Sequence, residues 1–276
     1  MTDNNKVVLF VDILGFATLT ESYPIDIDHL APVRLLADNM DLDSMIAAQR
    51  NQLTRTFTTF HFSLGSALDF VKMKHPFTAI TFSDSAFIAT NYAYEAANIA
   101  TDLLHSLLPQ KIPVRMGIAY GSFAALRFKS DIVSDGGDHA AQFLGTAIVR
   151  AHAAETCGIK GLRILLHPSV LPLLNDKGHN PKISGILHPI NALECSDMER
   201  TNKVGVNREI NYWNLSPTKE AKAWHALQDM WNESPQSEVK HYEATAEAIN
   251  RMRITQGHEP IKNLRRRTIP RGVRKQ

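Results

Sequence analysis

Cysteine is scarce in this chain. Only Cys157 and Cys195 occur in 276 residues, with no CxxC pair and no paired Cys/His spacing. A disulfide framework and a structural zinc module are therefore excluded as organising devices. Long hydrophobic runs are missing too. The apolar stretch near the start, VVLFVDILGF, is interrupted by an aspartate and is too short for a signal peptide or a membrane span. Net charge is only +2, so no strong overall field draws the molecule to nucleic acid or to a membrane. There is no internal repeat. What remains is a globular protein of ordinary composition, 44% hydrophobic and 21% charged. Its expected compartment is the cytoplasm, with no membrane partner. Its length suits one catalytic domain with an appendage.

The charge that is present lies unevenly. From Arg251 to Gln276 the chain is rich in Arg and Lys, ending KNLRRRTIPRGVRKQ. Such a run is usually a solvated tail. It lacks interleaved aromatics, so stacking on nucleic-acid bases is not supported and nucleic acid is not an expected partner.

Hydrophobic periodicity organises the rest. KVVLFVD, residues 6 to 12, reads as a buried strand, and Gly15 and Phe16 open a short helix after it. A long helix is expected from Leu42 to Lys74, with Ser44 as a cap and Pro76 as the stop. Residues 77 to 82 and 86 to 90 are short β-rich runs around Ser83-Asp84-Ser85, a hairpin pattern. A helix follows over 94–108, then the strand PVRMGIAY, with residues 122–128 as its expected hairpin partner. SDIVSDGGD, 130–138, reads as an acidic loop, 145–155 as an Ala-rich helix and 162–166 as a strand. A short helix at 168–174, strands at 183–187 and 209–215, and helices at 220–231 and 239–252 complete the reading. The order β-α-β-β-α-β predicts an α+β fold, a mainly antiparallel sheet with helices on one face. A boundary is expected at Ser216-Pro217, giving a domain over 1–215 and C-terminal helices with a basic tail over 216–276.

Three residues in this frame carry chemistry. Asp12 ends an apolar strand, where a carboxylate is costly unless it is paired or holds a cation. The turn after it has free backbone N–H groups suited to an anion; Asp12 could also serve simply as a helix cap. Asp84 occupies the hairpin turn, a common place for aspartate. A strand-end Asp and a hairpin-turn Asp together are what a two-metal phosphoryl-transfer site needs. Arg115, in VRMGIAYG, either pairs with an anion such as a triphosphate or lies on the surface of an edge strand.

FVDILGF resembles the first signature of the class III nucleotidyl cyclases. TFSDSAFIA is similar to their second metal motif, with Ser83-Asp84 where Gly-Asp is usual. VRMGIAYGSF is similar to their Arg-x-Gly-Ile-x-x-Gly strand, and FLGTAIVRAHAAE to the helix that follows. The four blocks occur in family order across residues 6 to 215. The resemblance implies a ferredoxin-like palm fold. It implies Asp12 and Asp84 as metal ligands with the Ile13 carbonyl, and a β,γ-phosphate turn at Leu14, Gly15 and Phe16, contacted also by Arg115.

Departures from the family pattern carry information. The family's helical Asn and Arg fall on Val149 and Ala153, so Arg150 is the expected stabiliser of transition-state charge, with His152 nearby. The base-reading Lys and Asp fall on Ile80 and Gln142. Gln142 offers both donor and acceptor, which suits the edge of uracil or cytosine. In these respects the chain resembles the pyrimidine cyclases of the bacterial anti-phage Pycsar system. That resemblance implies cyclic UMP made from UTP, two Mn²⁺ ions with Mg²⁺ as substitute, and a separate effector that reads the product. It also implies a homodimer with sites at the interface. Cyclic CMP synthesis, a purine cyclase, and an inactive nucleotide-binding relative stay open as alternatives.

Overall fold

The computed structural model describes residues 4–23, 51–72, 76–126, 142–176, 182–183, 186–187, 190–262 and 264. The expected helix start at Leu42 with its Ser44 cap, the acidic loop and most of the basic tail lie outside them. So does the last part of the expected long helix, from 73 on.

The central unit is β1 (Asn5–Ile13), α1 (Phe16–Ser22), α2 (Gln52–Lys72), β2 (Thr78–Thr81), β3 (Ser85–Thr90), α3 (Ala93–Leu107) and β4 (Val114–Ser122). Its strands lie in the order β4-β1-β3-β2 and pair antiparallel throughout. This is the ferredoxin-like arrangement expected of the sequence, with the first strand at its centre. After α4 (Thr146–Glu155), β7 (Ile164–Leu166) adds to β4 in parallel, which requires the crossover that α4 supplies. β10 (Ala192–Glu194) and β11 (Arg208–Ile210) extend that edge antiparallel, making seven strands.

β1 explains its own sequence. Val7, Leu9, Val11 and Ile13 enter a core with α2 and α3, including Phe60, Leu64, Ile99 and Leu103. Val8 and Phe10 enter a second cluster with Phe87, Ala119, Ala147 and Ala151. Both faces are covered, so the run is apolar without alternation. This corrects the expectation of helices on one face: α4 occupies the other. Gly117 makes that possible, since a Cβ there would lie 2.1 Å from the Ala151 carbonyl oxygen and 2.8 Å from the Glu155 nitrogen. The helix backbone rests directly on β4.

The expected hairpin partner of β4 at 122–128 is also corrected. β1 and β7 occupy both edges of β4, so no edge is left for it. The chain instead pairs β5 (Ala124–Leu126) with β6 (Gln142–Leu144). The strand expected over 183–187 is two short ones, β8 (Lys182–Ile183) and β9 (Ile186–Leu187), paired with each other.

The final helices, α5 (Pro217–Glu233) and α6 (Gln236–Thr255), share the main core through Leu227, Met230, Tyr242, Ile249 and Met252. Polar bonds fix α6 as well. Leu162 N–H donates to Thr245 Oγ1 at 2.8 Å, and Arg251 reaches Glu209 at 3.1 Å. Glu209 also takes buried Arg163 at 2.6 and 2.7 Å, and Glu199 pairs with the same guanidinium. The change in sequence character at residue 216 is thus not a break in packing.

Candidate active site

The two aspartates meet because β1 and β3 are neighbours. Asp12 is in register with Ser85 on β3 and with Arg115 on β4. The Ile13 N–H donates to the Asp84 carbonyl at 2.9 Å, tying the hairpin turn to the end of β1. Asp84 therefore lies across from Ile13, the residue next to Asp12, about one strand spacing (~4.8 Å) away in the sheet, and its charge helps to raise the Asp12 carboxyl. Asp12 follows Val8 and Phe10 on the face that α4 covers, at the point where that apolar stripe ends.

The phosphate-turn candidates follow at once. Leu14 N–H donates to the Pro113 carbonyl at 2.8 Å, Gly15 adopts φ +78°, and the buried ring of Phe16 anchors the start of α1. Glycine is favoured at position 15 because its φ of +78° is one that side chains rarely adopt; a Cβ there would also lie 3.1 Å from the movable Glu238 Oε1 on α6.

Charge is concentrated around Asp12. Its carboxyl is pushed up to about 6, first by burial, then by Glu155 and Asp84; Arg115 and His152 oppose the rise. Glu155 is 2% exposed and is likewise shifted upward by burial, with Arg115 opposing. The Arg115 guanidinium lies between the two acids, 2.5 Å from Glu155 and 3.9 Å from Asp12. Glu155 is the residue that reading the sequence missed. Its only signal there was an acid closing the Ala-rich segment of FLGTAIVRAHAAE, which reads as a solvated helix end.

The donor set suits a hard divalent cation. It comprises the Asp12 and Asp84 carboxylates with the Ile13 carbonyl, all oxygen, as Mg²⁺ and Mn²⁺ prefer. Among the described residues no group of three His, Cys, Asp or Glu side chains could hold a metal, so the third ligand here would come from the main chain. Acids crowded enough to raise a neighbour's proton affinity are acids that a cation would relieve.

The remaining candidates fall in two other places. Arg150 on α4 donates to the Tyr120 carbonyl at 2.9 Å, at the opposite end of β4 from Arg115, roughly 17 Å away by strand rise. Within one chain it is remote from Asp12. His152 is exposed but nearer, its ring centroid 5.2 Å from that of Phe10. Ile80, opposite Phe87 in the β2–β3 pair, packs on the cluster of Phe10 and Phe87. Gln142 begins β6, and the next residue, Phe143, sets its ring 5.4 Å from Phe87 and 6.1 Å from Phe82. Ile80 and the residue after Gln142, far apart in sequence, thus meet at one aromatic cluster.

No family model and no curated protein matches the sequence. Several solved structures have a similar shape. The guanylate cyclase domain of RhGC from Catenaria anguillulae, in complex with GTP, is 12% identical with a TM-score of 0.48, covering 75% of this chain and 94% of that one. The dimeric guanylyl cyclase domain of the RhoGC fusion protein from Blastocladiella emersonii is 13% identical with a TM-score of 0.46, covering 75% and 96%. The adenylyl cyclase CyaB from P. aeruginosa is 15% identical with a TM-score of 0.42, covering 75% and 93%.

Proposed function

We propose that this chain is a nucleotidyl cyclase that converts UTP to 3′,5′-cyclic UMP and pyrophosphate. The observation that carries the reading is the adjacency of Asp12 and Asp84: the Ile13 N–H binds the Asp84 carbonyl at 2.9 Å, and the Asp84 charge acts on the Asp12 carboxyl. The four sequence blocks in family order add to it.

In the reaction the ribose 3′-oxygen bonds to the α-phosphorus, the bond from that phosphorus to the pyrophosphate oxygen breaks, and the 3′-hydroxyl loses its proton. Two divalent ions, Mn²⁺ by preference or Mg²⁺, would supply a lowered pKa at that hydroxyl and charge stabilisation at the phosphates. Asp12, Asp84 and the Ile13 carbonyl would hold them. The Leu14–Phe16 turn would place the β- and γ-phosphates, with Arg115 beside it. Ile80 and Gln142 would meet the base edge. The remoteness of Arg150 from Asp12 in one chain favours a head-to-tail homodimer, in which each subunit lends its Arg150 to the partner's metal site. The product would act on a separate effector in anti-phage defence, a role supported by the Pycsar resemblance alone. Cyclic CMP is the second reading, because Gln142 suits either pyrimidine edge.

Incubating the full chain with each of the four ribonucleoside triphosphates and Mn²⁺ tests the proposal. UTP is expected to give a cyclic monophosphate fastest. Conversion of ATP or GTP but not of UTP or CTP would overturn the pyrimidine assignment. Tight triphosphate binding with no cyclic product would favour an inactive relative.

A further inference from the structure

We propose that Glu155 is a positioning residue: it holds Arg115 away from Asp12 and so keeps Asp12 available to a divalent cation. The inference rests on the metal-site reading above and deepens it.

Arg115 and Asp12 are direct cross-strand partners, so their side chains leave the sheet side by side on one face. Left to themselves, a guanidinium and a carboxylate so placed close into a bidentate pair. Such a pair would occupy the oxygens a cation needs. Here it has not formed. Arg115 Nη2 is 2.5 Å from Glu155 Oε1 but 3.9 Å from Asp12 Oδ2. Arg115 is partly exposed at 22%, whereas Glu155 is 2% exposed. The acid is therefore the more deeply buried member of the pair.

The position of Glu155 is built into the backbone. The Glu155 nitrogen lies 2.8 Å from where a Gly117 Cβ would be, and Gly117 is two residues along β4 from Arg115, on the same face. The end of α4 is thus seated beside Arg115 by the close helix–strand contact. A buried carboxylate at a helix C-terminus is disfavoured by the helix dipole as well as by desolvation. The ion pair with Arg115 offsets part of that cost, although Glu155 Oε1 and Arg115 Nε have no hydrogen-bond partner, and it draws the guanidinium off Asp12.

Mn²⁺ titration of the full-length chain, followed by EPR or calorimetry without nucleotide, tests this directly. Glu155→Gln is expected to weaken Mn²⁺ binding at least tenfold, because Arg115 then closes on Asp12. Glu155→Asp keeps the charge but shortens the reach, and it should weaken binding as well. Glu155→Gln combined with Arg115→Gln should return affinity to within about threefold of wild type. Wild-type affinity in either single Glu155 variant, or a double variant no better than Glu155→Gln, would overturn the proposal. If Glu155→Gln does not fold, Arg115→Gln alone decides: binding at least as tight as wild type is expected, and weaker binding refutes it. Asp12→Asn separates the two levels of inference. It should lose Mn²⁺ binding altogether, and if it does not, the metal-site reading falls, whatever Glu155 does.

Discussion

Asp12→Asn is expected to melt several degrees above wild type at neutral pH in the absence of metal, while making almost no cyclic product. The folded state pushes the Asp12 carboxyl up to about 6 by burial and by the neighbouring Glu155 and Asp84. In the unfolded chain it titrates near ~4. Between those values the folded protein holds a proton that the unfolded chain has released. Stability therefore falls as pH rises through that window, and above about 6 the full penalty applies, roughly 3 kcal/mol as an upper figure. Asparagine removes the charge at nearly constant shape. For a chain of this size the gain corresponds to about 5 °C in melting temperature at pH 7.5. The gap should close as pH is lowered toward 4, where the wild-type carboxyl is neutral as well. Added Mn²⁺ should stabilise wild type and leave the variant unmoved. Loss of one carboxylate ligand removes several kcal/mol of transition-state stabilisation, so turnover should drop by at least ~10³-fold. Thermal melts at pH 4.5, 6 and 7.5, with EDTA or with Mn²⁺, check the sign. A variant that melts lower than wild type at pH 7.5 in EDTA would mean that Asp12 is a structural cap, not a site held ready for a cation.

The second large effect concerns the base. Ile80→Lys with Gln142→Asp, the pair found in adenylate cyclases, should turn the preference from UTP toward ATP. A site built to hydrogen-bond a particular edge rejects a mismatched one by several powers of ten, because buried polar groups are left unpaired. Ile80 is half-buried beside Phe87 and Phe143, so a lysine stem at that position can lie along the aromatic surface while its ammonium extends past it. The ratio of kcat/KM for ATP to that for UTP is expected to rise at least ~10³-fold. An unchanged ratio, with both activities intact, would show that neither position reads the base.

Much of this frame was legible in the sequence. An apolar run ending in Asp12, followed by Gly15, fixed a strand and its turn. Ser83-Asp84-Ser85 between two β-rich runs fixed the hairpin, and the alternation of elements fixed the ferredoxin-like order. What escaped the reading depends on contacts that periodicity does not record. α4 is rich in alanine, so its faces hardly differ in hydrophobicity, and nothing in the sequence says that it lies on the far side of the sheet. Gly117 lies inside the expected strand PVRMGIAY with nothing in the sequence to mark it, whereas it is the point where a helix backbone touches β4. Glu155 and the Arg163–Glu209 pair are charged residues, which read as surface by default. Only three-dimensional pairing takes them inside. The partner of β5 was hidden for a related reason: β6 arrives after a long intervening segment, whereas a hairpin pattern is sought among adjacent residues.

One experiment bears most directly on the claim that Asp12 and Asp84 share divalent cations over one substrate. Crystals grown with Mn²⁺ and a non-cyclisable UTP analogue, measured at the manganese absorption edge, would locate the ions by anomalous scattering. Two peaks about 4 Å apart, bridged by Asp12 and Asp84 with the Ile13 carbonyl on one of them, are predicted. Nucleotide bound elsewhere, or manganese absent from that edge of the sheet, would contradict the account.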